Sequence, residues 1–400
     1  MAVQVVRQVK PVSGRSRAPQ LDYPLLIALG ALLAVGLMMV YSTTFDWGYQ
    51  QYGDPAYFVV RQALWLLLGL GALLGMLRVE YAVWHRLSIP LMGLGLAMLI
   101  AVLLFGQETL GAQRSFFNGS IQPSELVKLI TVMYVADWLS SKGEKIRNMS
   151  YGLIPFAILI GAIAGLIVLQ PDFGTAIVIV VVAGMMFFLA GADFKQIAIG
   201  LLASGATLLM LITNSPHAQE RINSFVDALN DPALASYHVQ QAFIAIGSGG
   251  WFGVGPGASR QKFGYLPVPH TDSVFAVLSE ELGLIGGLVV LSLFALLAYR
   301  GFRIALRAPD VFGMLMAAGV TCWIVTEALV NIAVITGTLP LTGIPLPFIS
   351  YGGSSLVSLM AAVGLLQSIT RGSRKGLTRS ALVDRGRRNG RPRLSRIGGR

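Results

Sequence analysis

Cysteine is almost absent from this sequence: the one thiol, Cys322, stands inside an apolar run, which excludes a disulfide framework and a thiolate-based zinc site. Histidine is nearly as scarce. His85, His217, His238 and His270 are scattered with no HExxH-like spacing, so a dedicated histidine metal centre is excluded as well, although carboxylates could hold a hard cation. Only 12% of the 400 residues are charged, against 54% hydrophobic residues and a mean hydropathy of +0.68, a balance that rules out a soluble globular domain. No internal repeat is visible, which argues against a transporter built from inverted repeats. The formal net charge of +11 does not point to nucleic acid, because the basic residues gather at the chain ends and beside apolar runs, as at a membrane surface.

What is present is a succession of apolar runs, and a helix crosses the hydrocarbon layer in roughly 20 residues. Ten runs can be read: 24–41, 57–77, 87–105, 124–139, 152–169, 174–190, 196–213, 274–299, 311–335 and 354–370. The expected fold is an all-α membrane protein of about ten transmembrane helices. Residues 1–22 form a basic arm, with Arg7, Lys10, Arg15 and Arg17, ahead of a first run too long and too poor in cleavage-site residues for a removable signal peptide. Residues 23–371 form the polytopic membrane domain. Residues 372–400, rich in Arg and Gly, have too little apolar content to fold alone and suit anionic lipid or a cytoplasmic partner.

Alternate connections differ sharply in charge. Arg78 and Arg86, then Lys142, Lys145 and Arg147, then Lys195, then Arg300, Arg303 and Arg307 fall on the side of the N-terminus, as does the tail after Arg371. The opposite side has Asp46 and Asp54 after the first run and no charge after the ninth. The positive-inside rule then puts both termini in the cytoplasm. It also puts the long segment 214–273, between runs seven and eight, outside. That segment contains an apolar stretch, 239–246, leading into the glycine-rich 247–255, and reads as a folded or re-entrant element at the membrane surface.

Charges inside apolar runs are costly, about 2.5–3.5 kcal/mol each on insertion scales, and call for a functional reading. Glu125 and Lys128 share a helix face: they are either a structural ion pair at a helix start or, with the outer Arg114, part of a pyrophosphate site. Arg61 either snorkels or serves a site. Asp172, in a tight Gln-Pro-Asp-Phe-Gly turn, reads as a helix cap. Asp272 stands at the outer edge of the eighth run beside His270 and Thr271, with Glu280 and Glu281 about two turns deeper. It either caps that helix or acts as a general base. The Pro- and Gly-rich stretch 336–355 cannot be a lipid-facing helix, so it lines a cavity or is covered by protein.

Taken together, these stretches resemble the SEDS family (shape, elongation, division and sporulation) of peptidoglycan glycosyltransferases. The resemblance rests on Arg61-Gln62 with Trp65, Gly111 to Arg114, Gln122-Pro123-Ser124-Glu125 with Lys128, Gln170 to Gly174, and Ala245-Ile246-Gly247-Ser248-Gly249-Gly250. It continues in His270-Thr271-Asp272, Glu280 to Gly283 and Pro345 to Gly353. Ser115 departs from the pattern, in which an aromatic usually follows the arginine, and so does Val268, where many members have Glu; the second removes a candidate acid. The basic ends are more like the division member of the family than the elongation member.

The resemblance implies ten helices, a large outer loop between helices seven and eight, and polymerisation of lipid II into glycan strands at the outer face of a bacterial cytoplasmic membrane, at the division site. It implies Asp272 as the essential acid. Arg114, Glu125, Lys128, Arg221, Lys262, His270, Thr271, Ser248, Ser350 and Tyr351 become candidate substrate-binding residues, with Arg260 another candidate for the pyrophosphate. A divalent cation, Mg2+ or Mn2+, is a candidate helper; no organic cofactor and no nucleic acid are expected. The implied partners are lipid II, the polyprenyl-pyrophosphate-linked glycan, a class B penicillin-binding protein (a single-span transpeptidase) and other division proteins. The rival readings are a lipid II flippase and a non-catalytic division scaffold.

The charge asymmetry makes the topology testable. A cysteine at Asn230→Cys is expected to react with an impermeant thiol reagent in intact cells and one at Gly143→Cys is not. The reverse pattern inverts the orientation.

Overall fold

The computed structural model describes residues 21–109, 112–116, 121–231 and 235–389, with the side chains of 107–109, 112–114, 217, 230 and 373–389 outside the description. Most of the basic N-terminal arm, residues 1–20, therefore lies outside the described residues. The helices are α1 (Tyr23–Tyr52), α2 (Tyr57–Arg78), α3 (Tyr81–Phe105), α4 (Pro123–Lys142), α5 (Leu153–Val168), α6 (Phe173–Leu189), α7 (Phe194–Asn214), α8 (Pro216–Asn230), α9 (Tyr237–Gly249), α10 (Val274–Ala305), α11 (Val311–Ile335) and α12 (Gly353–Asn389). A small antiparallel hairpin, β1 (Gln107–Thr109) and β2 (Ala112–Ser115), joins α3 to α4, a departure from the all-α expectation. The two extended segments pair each other's backbone where no helix forms.

Among the described residues, seven helices are long and apolar enough to cross a membrane: α1, α2, α3, α7, α10, α11 and the 353–372 part of α12. Helices α5 and α6 are as apolar but shorter, and α4 carries Glu125, Lys128, Asp137 and Lys142. Each of the ten apolar runs falls on one of these ten helices. Helix α1 runs well past residue 41, with Thr43 and Thr44 turned back to donate to the Met39 and Val40 carbonyls (2.8 and 2.6 Å), and it stops only at Gly53, in the left-handed region at φ 69°. Most of the expected first outer loop, 45–53, is thus helical. Helix α12 likewise continues to Asn389, so the tail expected to lack structure is helical over 372–389; Leu, Ala, Arg and Lys there favour helix despite three glycines.

Helix α11 is, with the 353–372 part of α12, one of the two most enclosed of the long apolar helices described, and it packs against α4, α6, α10 and α12. The segment 214–273 is built from two helices. Helix α9 lies along the first half of α10, with Gly249 against the Ser279 backbone. Helix α10 is broken at Gly283 (φ 68°, ψ −170°). The glycine-rich stretch repairs the break: Val254 and Gly255 N–H donate to the Glu280 and Glu281 carbonyls (2.9 and 3.0 Å), and Leu284 and Ile285 N–H to the Gly250 and Trp251 carbonyls (2.9 and 3.2 Å). At membrane depth this pairing is what makes the irregular backbone tolerable. Trp251 and Phe252 remain exposed on it, suited to a lipid interface.

Gly253 sits at φ 80°, and a Cβ there would meet the Glu281 carbonyl. Gly253→Ala is therefore expected to lower the thermal midpoint in detergent, costing at least about 1–2 kcal/mol for the backbone conformation alone. Gly247→Ala, on α9 with open space around it, is expected to be neutral or to stabilise by up to about 1 kcal/mol. Equal midpoints for the two variants would show that the repair is not needed.

Candidate functional site

Two non-helical segments meet at the end of α10 that carries Asp272. The first, 266–273, leads into α10 through Val268 at φ 46°, a left-handed conformation that a β-branched residue adopts only under constraint. The second, 339–352, connects α11 to α12 with prolines that deny it a helix. Rungs tie them together. Tyr351 N–H donates to the His270 carbonyl (2.9 Å) and Ser350 Oγ to the Thr271 carbonyl (2.6 Å), while Ser350 Oγ accepts from Leu346 N–H (2.8 Å). From α11, Asn331 Nδ2 donates to the Asp272 carbonyl (2.8 Å) and the Ile344 carbonyl (2.7 Å). Asp272 itself is half-buried, and Gly343, at φ 72°, lies so close that a Cβ there would be 3.5 Å from Asp272 Oδ2.

Around this junction other polar groups collect. Arg221 of α8 reaches over to donate to the Leu341 carbonyl (3.3 Å). His238 of α9 pairs with Ser273 Oγ (2.6 Å), which also donates to the Pro267 carbonyl (3.0 Å). Burial, and then the nearby Arg221 charge, push the His238 imidazole below its usual range. On another side, Gly174 packs against the Thr342 carbonyl, which brings the Gln170–Gly174 turn to the same wall. Asp172 there caps α6 by accepting from Thr175 N–H (3.1 Å), and also accepts from Gln122 Nε2 (3.1 Å). His270 lies among Trp47 and Tyr351 (ring centroids 4.9 and 6.1 Å), and burial lowers its pKa to about 4. It is thus a neutral group near neutral pH. Arg61 lies over the Tyr57 ring, close enough to Tyr351 to oppose the upward push of burial on that phenol.

Several candidate residues have different surroundings from those expected. Lys128 is buried in α4 and touches two carboxylates: Glu125, at 2.8 Å, and Glu327 of α11. Both ion-pair partners are almost fully buried, which makes this an internal cluster and not an open pyrophosphate site. Lys262 is buried too. Its ammonium meets Glu281 (2.9 Å), Ser42 Oγ of α1 (2.9 Å) and the Gly257 carbonyl (2.7 Å), because a charge beside lipid needs close partners. Glu280 accepts from Ser259 Oγ (2.5 Å) and Arg260 N–H (2.9 Å), fixing the turn that carries Lys262. Ser248 donates to the Ala245 carbonyl of its own helix (2.9 Å), and no described bond links it to Asp272. Arg114 is on β2, and its side chain lies outside the described residues.

The junction therefore gathers Asp272, Thr271, His270, Ser350, Tyr351 and Arg221 from the candidate set, and adds Asn331, His238, Gln122 and Asp172. Glu327 and Asn331 were not singled out in the sequence, although a lone acid and a lone amide in an apolar run are themselves a signal. Among the described residues no group of three or more His, Cys, Asp or Glu side chains converges to hold a metal ion.

Comparison with known proteins gives a concordant picture. The model of a family described as "Cell cycle protein", covering FtsW, RodA and SpoVE, matches residues 23–375. Stage V sporulation protein E of Bacillus subtilis is 40% identical over 357 residues, 88% of this chain and 98% of that protein. A probable peptidoglycan glycosyltransferase FtsW of Trichlorobacter lovleyi is 37% identical over 362 residues, 89% of this chain and 94% of its own length. Among solved structures, a chain of a peptidoglycan synthase complex that coordinates polymerization and crosslinking aligns with a TM-score of 0.73 at 29% identity, covering 88% of this chain and 98% of that one. The crystal structure of Thermus thermophilus rod shape determining protein RodA aligns with a TM-score of 0.65 at 29% identity, with 88% and 97% covered.

The Lys128 cluster generates a stability test. Lys128→Met leaves Glu125 and Glu327 facing each other with no cation and is expected to cost about 3–5 kcal/mol, the range for breaking a buried pair from one side. Glu327→Gln leaves a one-to-one Lys128–Glu125 pair and should cost clearly less. Thermal midpoints in detergent compare the two, and equal losses would mean that the lysine does not serve both acids.

Proposed function

The chain belongs to the FtsW, RodA and SpoVE family of cell cycle proteins, and on that premise we propose that it polymerises lipid II into glycan strands with Asp272 as general base. The peptidoglycan glycosyltransferase activity rests on relatives that carry that name along nearly their whole length. The observation that carries the role of Asp272 is its position: a half-buried carboxylate just before α10, on a segment tied to the opposite wall through Asn331 and Ser350, with Gly343 of that wall close to its Oδ2.

In this reading two lipid-linked sugars lie with their pyrophosphates at the outer membrane surface. Asp272 accepts the proton of the acceptor sugar hydroxyl as its oxygen forms a bond to the donor anomeric carbon. The bond from that carbon to the donor pyrophosphate oxygen breaks, and the polyprenyl pyrophosphate leaves with the negative charge. A single displacement inverts the α-linked donor to a β-linked product. Arg221, beside the same wall, and Arg114 of the β-hairpin are the cations that would meet the pyrophosphates. His270, neutral by burial, and the aromatic rings around it supply apolar surface for sugar rings.

The chain is a multi-pass membrane protein. The further reading is that its ten apolar helices cross the cytoplasmic membrane with both termini inside, that it works at the division site with other division proteins, and that a class B penicillin-binding protein crosslinks its product. Support for such a partner is the likeness to a chain of a peptidoglycan synthase complex. Several relatives named FtsW, 35–40% identical over most of the chain, support the division reading, and the sporulation protein of Bacillus subtilis is as similar at 40%.

Asp272→Asn keeps the size of the side chain and removes the proton-accepting charge. Polymerisation of lipid II by the purified variant is expected to fall by about 10²–10⁴-fold, with lipid II binding and partner binding retained. Wild-type rates from well-folded Asp272→Asn protein would end the catalytic assignment. Movement of lipid II between leaflets without polymer from the wild-type protein would favour a flippase.

A further inference from the structure

Asn331 is an amide inside an otherwise apolar stretch of α11, 2% exposed, where an aliphatic residue would be the ordinary choice. Both of its good bonds leave the helix. Its Nδ2 donates to the carbonyl of Asp272, at 2.8 Å, and to that of Ile344, at 2.7 Å, two acceptors on the two segments that face each other across the site. Its Oδ1 is buried with no described partner, so the residue is retained at the cost of an unsatisfied acceptor.

We propose that Asn331 is a positioning residue, which clamps the segment carrying Asp272 to the opposite wall and so sets where the Asp272 carboxylate points. The inference rests on the reading of Asp272 as the base. Its geometry is specific. Gly343 lies next to Ile344 in that wall, and the place its Cβ would take is 3.5 Å from Asp272 Oδ2. A shift between the two segments therefore either closes the wall onto the carboxylate or swings the carboxylate away from it. The Ser350 bond to Thr271 also joins the segments, but Ser350 belongs to the wall itself. Asn331 ties both segments to a helix packed on several sides, and an approach geometry fixed to within an ångström is what a proton transfer coupled to displacement needs.

Asn331→Leu keeps approximate volume and removes both donors; Asn331→Asp keeps the shape and turns an oxygen toward two carbonyls. Lipid II polymerisation is measured on the full-length protein with its transpeptidase partner, together with the thermal midpoint and the fraction folded by gel filtration. The expected result is a kcat lower on the order of 10²-fold with KM for lipid II unchanged. A merely structural residue would instead lower the folded fraction and leave kcat per folded molecule intact, and that result overturns the proposal. Should neither variant fold, Ser350→Ala removes a parallel bond, and a kcat there equal to wild type overturns it as well. Asp272→Asn is assayed alongside. Activity in that variant defeats the base reading itself, whereas an inactive Asp272→Asn with a fully active Asn331→Leu defeats the clamp alone.

Discussion

Lys128 brings an ammonium from α4 into the apolar interior, and the packing of α4 against α11 is organised around meeting it with Glu327 as well as Glu125. A buried ion cluster of this kind contributes little net stability once desolvation is counted, but it fixes register, since sliding either helix by one turn would leave a naked charge. Register matters here because Asn331 follows Glu327 by four residues, one turn and about 6 Å along the same face of α11. The height at which the cluster locks α11 is thus the height at which Asn331 meets the Asp272 carbonyl. A charge pairing deep in the bundle and the geometry of the outer site share one rigid element.

The same rule, that polar groups away from water need partners, accounts for most of the remaining charges. Glu281 and Lys262 pair with Ser42 to join α1, α10 and the turn after α9, while Glu280 gathers the hydroxyl and backbone N–H groups of that turn. These contacts hold the glycine-rich stretch against the break in α10 at Gly283. At the other end of α10, Asp22 caps α1 and takes a two-pronged bond from Arg300 (2.9 and 2.5 Å), which fastens the start of α1 to the end of α10. Architecture thus uses charges that a search for phosphate ligands would also select.

That overlap marks the limit of what the sequence discloses. Hydropathy locates the ten helices on which the apolar runs fall, seven of them long, and the acid at the edge of the eighth run, Asp272, is legible because an acid at the start of an apolar run, next to His and Thr, is conspicuous. The Asp172 cap is legible for the same local reason. The partners of Lys128 and Lys262 are not, because Glu327 and Ser42 are 199 and 220 residues away and sequence spacing says nothing about contact at that range. Glu125, three residues from Lys128, is visible as a partner; Glu327, which turns the pair into a cluster, comes from a different helix. The extension of α1 beyond residue 41 escapes hydropathy because its last turns are polar.

With two lysines committed to buried carboxylates, the cations that serve the outer face have to come from elsewhere, and this constrains how substrate would lie. Arg221 approaches the Asp272 junction from α8 through the Leu341 carbonyl, and Arg61 approaches from α2 through Tyr57 and Tyr351. They reach the junction by different elements, the first through the segment that follows α11 and the second through the aromatic group around His270. Burial keeps His270 neutral, so it adds no competing positive charge between them. Two separate cationic approaches around one carboxylate match a reaction with two pyrophosphate-bearing substrates better than a path for one lipid. A single translocated headgroup would need its cations along a continuous track, whereas the two headgroups of the proposed reaction need them apart.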